Sequence, residues 1–279
     1  LCLPGATVAP IPEGVARFGE QAFVTCSNLT ELRLPNSALQ LPNMISACVG
    51  ITNLVIGNGI VEIPSGGLSG LRNLRSVTFG AGLTTIGSGV FGGCANLAEL
   101  IIPDNVTRLG SSMMSGCYGL TNIVIGNGVT EIPSGAFQQL GALRSVTIGT
   151  AVTNIGSGAF YATGLESVAI PDNVVNLDCG SFWSCSNLTH ISIGRGVEWF
   201  YAGICSETPS LQTAVVGAHN LAESAFNRCE GLTSVELLDS TTNVHSRAFA
   251  GCSNLTNLVV STDHPTYRAE GPLLLSKDG

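Results

Sequence analysis

The chain has 279 residues, 44% of them hydrophobic and only 11% charged, with 35 glycines, ten cysteines and a net charge of −8. This balance excludes a disordered polar chain, and a single lysine (Lys277) with no basic run excludes nucleic acid or an anionic membrane surface as partner. No apolar run approaches the ~18 residues of a membrane span, so no membrane insertion is expected within this segment. Leu1 is not Met, and no charged-then-apolar leader follows it. It reads as a processed end or a boundary, with any targeting signal out of view.

From the N-terminus onward one template recurs. A weak copy opens at Ala6. Clear anchors follow at Leu29, Ile51, Leu74, Leu97, Leu120, Leu143, Leu165, Leu188, Leu211, Leu232 and Leu255, spaced 21 to 23 residues apart. The result is about 12 repeats of 23 residues, the last one irregular. A longer period overlies the short one: 51–71 and 120–140, three repeats apart, match at 13 of 21 positions, as duplication of a three-repeat block would leave them.

Within each unit, counted from its anchor as zero, positions +3 and +5 are apolar, a spacing of two that belongs to a strand. Strands are therefore predicted at 32–34, 54–56, 77–79, 100–102, 123–125, 146–148, 168–170, 191–193, 214–216, 235–237 and 258–260. Pro or Gly at +6 usually ends the strand, and sequences such as PDN (103–105) and GNG (57–59) signal turns. A second inward pair at +9 and +12 predicts a short extended segment. A Gly/Ser stretch with an aromatic at +17 (Phe91, Phe137, Phe160, Phe182, Phe249) then predicts a helical or 3₁₀ turn over +14 to +19. One unit buries nothing alone; stacking places like side chains in continuous columns. The expected fold is a leucine-rich-repeat solenoid, right-handed, with a parallel β-sheet on one side and short extended or helical turns on the other. Residues 1–260 read as a single solenoid domain, and 261–279 as an irregular C-terminal segment, a truncated continuation.

The pattern L-x-x-I-x-I-P-x-x-V-x-x-I-G-x-x-A-F-x-x-C, fitted closely by EIPSGAFQQL (131–140) and NIGSGAF (154–160), resembles that of the BspA-like leucine-rich repeats over roughly residues 6–260. The resemblance implies an extracellular or cell-surface protein of bacterial or protist type, acting in adhesion to a protein or glycan partner. The alternative is a passive spacer or stalk in a larger surface protein. Neither carries chemistry, so no enzyme and no cofactor are expected.

The residues of chemically reactive type read as structural. Seven cysteines (Cys26, Cys48, Cys94, Cys117, Cys185, Cys229, Cys252) lie three positions before the next anchor, a column that Leu71, Leu140, Ala162 and Thr208 also fill. Interchange with Leu and Ala points to buried free thiols, with disulfides between stacked neighbours as the alternative. No C-x-x-C or Cys/His spacing suits a metal. The four histidines (His190, His219, His245, His264) read as surface polar residues with no nucleophile–base–orienter arrangement. GSGVFG (87–92) matches a nucleotide fingerprint only formally, since no βαβ unit surrounds it. Sequons occur at Asn28, Asn105, Asn187 and Asn254. The outward face of the first strands, small and polar to aliphatic, reads either as a weak multivalent surface or as a solvated sheet. One cluster stands out. Tyr161, Trp183, Trp199 and Tyr201 fall in three consecutive repeats at positions (+18, +11, +13) that other repeats fill with Ser, Gly, Glu or Thr. They form the candidate partner-binding patch, unless the irregular repeat 188–210 folds the rings onto its own backbone.

Overall fold

The computed structural model describes residues 5–277 except Gln21, Thr25, Asn43, Met44 and Pro272. Twelve first-wall strands, from Val8–Ala9 to Asn257–Val260, stack in parallel and define about eleven turns of a β-solenoid. The predicted strands are all present, mostly opening one residue earlier, at +2 (Asn53–Val55, Glu99–Ile102, His190–Ile193). Their inward residues form the core: Leu54, Leu100, Ile123 and Ile191 are fully buried. A second wall of two-residue strands at +11 and +12, such as Glu62–Ile63 and Asn154–Ile155, follows the predicted extended segment.

The +6 glycines act differently from expectation. Gly57, Gly80, Gly126 and Gly149 do not adopt positive φ. They allow coils to touch: a Cβ on Gly57 would lie 2.0 Å from the Pro35 carbonyl oxygen, and one on Gly80 2.4 Å from that of Gly57. The polar residue at +7 then ties the coils: Asn127 N–H donates to Asp104 Oδ1 at 2.7 Å, and Thr150 N–H to Asn127 Oδ1 at 2.9 Å. PDN and GNG therefore fix inter-coil bonds as well as turns.

The +14 to +19 segment is not the predicted helical turn. The exception is the Leu29 repeat, where +16 to +18 form the expected 3₁₀ turn, Ile45–Ala47, the only helix among the described residues. Elsewhere a third wall stands in its place, built from successive turns. Even positions close turns within the coil (Gly67 N–H to Pro64 O, Ser69 N–H to Gly66 O). Odd positions donate to the next coil (Gly66 to Ser88 O, Leu68 to Val90 O, Gly70 to Gly92 O). This alternation requires left-handed backbone at +15 and +19, which is why glycine recurs there. Behind the wall the +17 rings stack, with Phe137, Phe160 and Phe182 at centroid spacings of 5.5 and 5.3 Å. In repeat 188 the +17 residue is Cys205. Phe200 at +12 supplies the missing ring and packs 4.9 Å from Phe226.

The cysteine column has a specific chemistry. Each Sγ–H donates to the +17 carbonyl of the coil before it: Cys94 to Leu68 at 3.4 Å, Cys117 to Phe91 at 3.0 Å, Cys185 to Phe160 at 3.2 Å. Cys48, Cys94, Cys117, Cys185, Cys229 and Cys252 are free thiols, with Cys252 only partly buried. Two corrections follow. In repeat 143 the column is filled by Thr163, whose hydroxyl meets the Cys185 thiol at 3.2 Å; Ala162 is the left-handed residue beside it. Cys26 is disulfide-bonded rather than free; it lies in the first coil, with no earlier described coil to offer its thiol a carbonyl. Cys2 lies outside the described residues.

Segment 261–279, expected to be irregular, contains an antiparallel pair, Tyr267–Glu270 with Leu273–Ser276. His264, read as a surface residue, is fully buried and anchors this pair. Its Nδ1 accepts the backbone N–H groups of Thr266 (3.2 Å) and Tyr267 (3.1 Å), so Nε2 carries the proton and donates to the Leu238 carbonyl at 3.1 Å. A buried polar ring is tolerated because both nitrogens are satisfied.

Candidate binding groove

Two outward faces compete as interaction surfaces. On the first wall the +2 side chains bond one another along the stack: Ser76 Oγ to Asn53 Oδ1 and Ser145 Oγ to Asn122 Oδ1 at 2.8 Å, Asn122 Nδ2 to Glu99 Oε1 at 2.7 Å, His190 Nδ1 with Thr213 Oγ1 at 2.7 Å. Threonines at +1 turn their hydroxyls onto the preceding backbone, as Thr52 does to Thr30 O. These groups are already partnered, which fits a solvated sheet.

The third wall differs. The four candidate aromatics resolve into two ring pairs. Tyr161 and Trp183 lie 5.7 Å apart at 55°, and Trp199 stacks on Tyr201 at 5.7 Å and 14°. Trp183, Trp199 and Tyr201 are 44%, 39% and 43% exposed and Tyr161 is half-buried, so the rings do not fold away into repeat 188–210. Trp199 interrupts a ladder of asparagine amides on the second wall, where Asn176 donates to Asn154 and Asn243 to Asn220. Only the Tyr161–Trp183 pair lines a groove, of about 820 Å³, that crosses five coils; Trp199 and Tyr201 are not among its lining residues.

The groove is built on locked backbone. The carbonyls of Tyr161 and Trp183 accept the N–H groups of Gln139 (2.7 Å) and Ala162 (2.9 Å), and their own N–H groups close turns onto Gly158 and Gly180. The indole lies over Gly180, where an added Cβ would sit 3.9 Å from Trp183 Cε3. Glycines at +15 (Gly158, Gly180, Gly203) make the floor. Around the rings stand residues that the sequence did not single out: Gln138, Ser206 and Asn227 in the same column as the rings, and Glu207 and Arg228 one position further on. Reading that column through all repeats, with the two-residue shortening of repeat 211 allowed for, would have found them. A second signal was also present. The +19 column is Gly70, Gly93 and Gly116 before the groove and Gly251 after it. Across the groove it is Gln139, Ala162, Ser184, Glu207 and Arg228, all still left-handed at φ 53 to 62°. Left-handed backbone costs roughly 1–2 kcal/mol for a non-glycine residue, and such strain concentrates at functional sites.

Burial raises the thiols of Cys48, Cys94, Cys117, Cys185 and Cys252, Cys94 and Cys117 up to about 12, keeping them protonated donors, whereas the hydrogen bond with Cys205 lowers Cys229. Cys179 is an exposed free thiol at the groove. Three of the sequons, Asn28, Asn187 and Asn254, are exposed; the Asn105 amide instead donates to the Leu83 carbonyl. Among the described residues no group of three or more His, Cys, Asp or Glu side chains gathers in a way that could hold a metal ion, and no helix is long and apolar enough to cross a membrane.

No curated protein matches this sequence. Among solved structures the chain is similar to a leucine-rich repeat protein from Bacteroides ovatus, with 24% identity and a TM-score of 0.58 over 91% of this chain and 74% of that one. It is also similar to a leucine rich cell surface protein from Faecalibacterium prausnitzii (20% identity, TM-score 0.44, 91% and 87% covered) and to a T. pallidum leucine rich repeat protein (22%, 0.49, 65% and 76%). The first likeness shows the same fold. The family model for the BspA type leucine rich repeat region (6 copies) matches residues 6–121, 114–222 and 217–269, and the chain belongs to that family.

Proposed function

We propose that this chain is a non-catalytic binding module of a cell-surface or secreted protein, engaging a protein or glycan partner through the third-wall groove. Residues 1–260 act as one solenoid module in this reading. The observation that carries it is the coincidence, over the same coils, of exposed Trp183 and half-buried Tyr161 with an unbroken run of strained non-glycine +19 residues. Neither feature adds to the core, and exposed aromatics commonly mark interaction sites. The self-bonded first wall favours the second reading, a passive spacer. The two separate on an array of matrix proteins and glycans probed with the labelled module. The binding reading expects saturable signal that Trp183→Ala abolishes and Ser115→Ala leaves intact. The spacer reading expects no saturable signal from any of the three.

A further inference from the structure

We infer that the groove takes a neutral glycan chain laid along the solenoid axis, an inference that rests on the binding-module reading and narrows its partner. The lining argues for this class. It contains no Leu, Ile, Val or Phe, the residues that would wall a pocket for a protein's apolar anchor. It offers instead two rings to the C–H faces of pyranoses, with side-chain amides and hydroxyls from Gln138, Ser206 and Asn227 for their hydroxyl groups.

Charge narrows the class further. Glu207 and Arg228 are the groove's two ionised side chains and cancel each other, while the chain as a whole carries −8. A sulfated or sialylated glycan would meet net repulsion; a neutral one meets none. Geometry gives the direction. The lining spans five coils, four steps of ~4.8 Å or roughly 19 Å in all, and the step is comparable to the advance of one pyranose along an extended chain. Successive sugars then meet equivalent +18 positions: Gln138, Tyr161, Trp183, Ser206 and Asn227. The inter-coil hydrogen bonds beneath them fix the backbone that carries these side chains before the ligand arrives, which lowers the ordering cost of binding.

The protein's two tryptophans make the test direct, because Trp183 lines the groove and Trp199 does not. Intrinsic fluorescence is titrated with cellohexaose, xylohexaose and mannohexaose, and with a heparin hexasaccharide as anionic control. At least one neutral hexaose should change the emission saturably while heparin does not. Trp183→Ala and Tyr161→Ala, the latter still reporting through Trp183, should each weaken binding roughly tenfold or more as measured by calorimetry. Trp199→Ala should bind like the wild type. Tyr161→Ala also covers the case in which Trp183→Ala fails to fold. The inference is overturned if none of the three neutral hexaoses binds, if heparin binds better than they do, or if Trp199→Ala is as damaging as Trp183→Ala. Saturable, Trp183-dependent signal on matrix-protein spots without any hexaose binding would overturn the glycan and leave the binding module standing.

Discussion

The two copies of the three-coil block, 51–119 and 120–187, share a frame and differ in what they mount on it. In both, the first-wall sheet breaks after the middle coil, beyond Ser76–Thr78 and beyond Ser145–Thr147. The second-wall sheet breaks one coil later, beyond Arg108–Leu109 and beyond Asn176–Leu177. Val77 and Val146, inward at the first break, are half-buried in both copies. The earlier block carries Ser69, Gly92 and Ser115 at +18 and glycine at every +19. The later one carries Gln138, Tyr161 and Trp183, with Gln139, Ala162 and Ser184 left-handed beside them. Duplication has kept the bonding and packing of the coil, while the outward +18 and +19 positions of the third wall have diverged.

If the frames are equivalent, core truncation should cost the same in each block. Leu54→Ala and Ile123→Ala remove fully buried +3 side chains, and each should lose roughly 2–5 kcal/mol in denaturant unfolding. A silent Ile123→Ala would refute the inward assignment, and a large gap between the two would break the equivalence.

The +19 positions offer a smaller, reciprocal test. Gly93 and Ala162 are counterparts at φ 76° and 53°. A Cβ on Gly93 meets nothing closer than 3.9 Å, so only conformation opposes it. Gly93→Ala should destabilise by about 1 kcal/mol and Ala162→Gly should stabilise by a similar amount, the left-handed penalty being partly offset by the entropy glycine adds to the unfolded chain. If Ala162→Gly lowers the midpoint, the strain argument for the groove fails.

The blocks also differ in thiols: Cys94 and Cys117 in the earlier, Leu140, Thr163 and Cys185 in the later. Burial raises Cys94 and Cys117 from 9.0 to about 12. The folded form therefore holds its protons while the unfolded chain releases them. This contribution is complete below pH 9 and is lost as pH rises from 9 toward 12. Stability should fall across that window, and a Cys94→Ala/Cys117→Ala variant should fall less steeply. Equal slopes would mean that these thiols are accessible to water.

The solenoid was legible because its signals repeat: the step of two at +3 and +5, the second inward pair and the +17 rings each recur often enough to override local ambiguity. The third wall was misread as helical because a Gly/Ser-rich stretch with one apolar ring suits either structure. What separates them is the alternation of left-handed residues at +15 and +19, a backbone property that Ser112, Gln139 and Arg228 do not advertise. His264 was misplaced because one polar ring in an irregular tail gives no periodicity to read. The groove was half legible. Large aromatics against a small-residue column pointed to Tyr161 and Trp183, but grouping them with Trp199 and Tyr201 followed nearness in sequence, whereas in the stack +18 and +11 belong to different walls.

The smallest effect expected is also the sharpest test of whether the frame is indifferent to its +18 cargo. Gly92 and Ser115 are the counterparts of Tyr161 and Trp183. Gly92 is not left-handed, and a Cβ there would lie 3.3 Å from the Gly89 carbonyl oxygen, a contact that a shift of a few tenths of an ångström relieves. The double change Gly92→Tyr/Ser115→Trp should therefore fold with a stability within about 0.5 kcal/mol of the parent, as outward substitutions clear of special features do. A loss above about 2 kcal/mol would place this wall of block 51–119 among the constrained parts of the coil, and the contrast between blocks would then reflect packing and not function. In a Trp183→Ala background the grafted pair should also restore part of the hexaose response, more weakly than the native groove because Glu207, Asn227 and Arg228 have no counterparts beside it. No restoration in a stable, folded graft would shift the weight of recognition from the rings to those three polar residues.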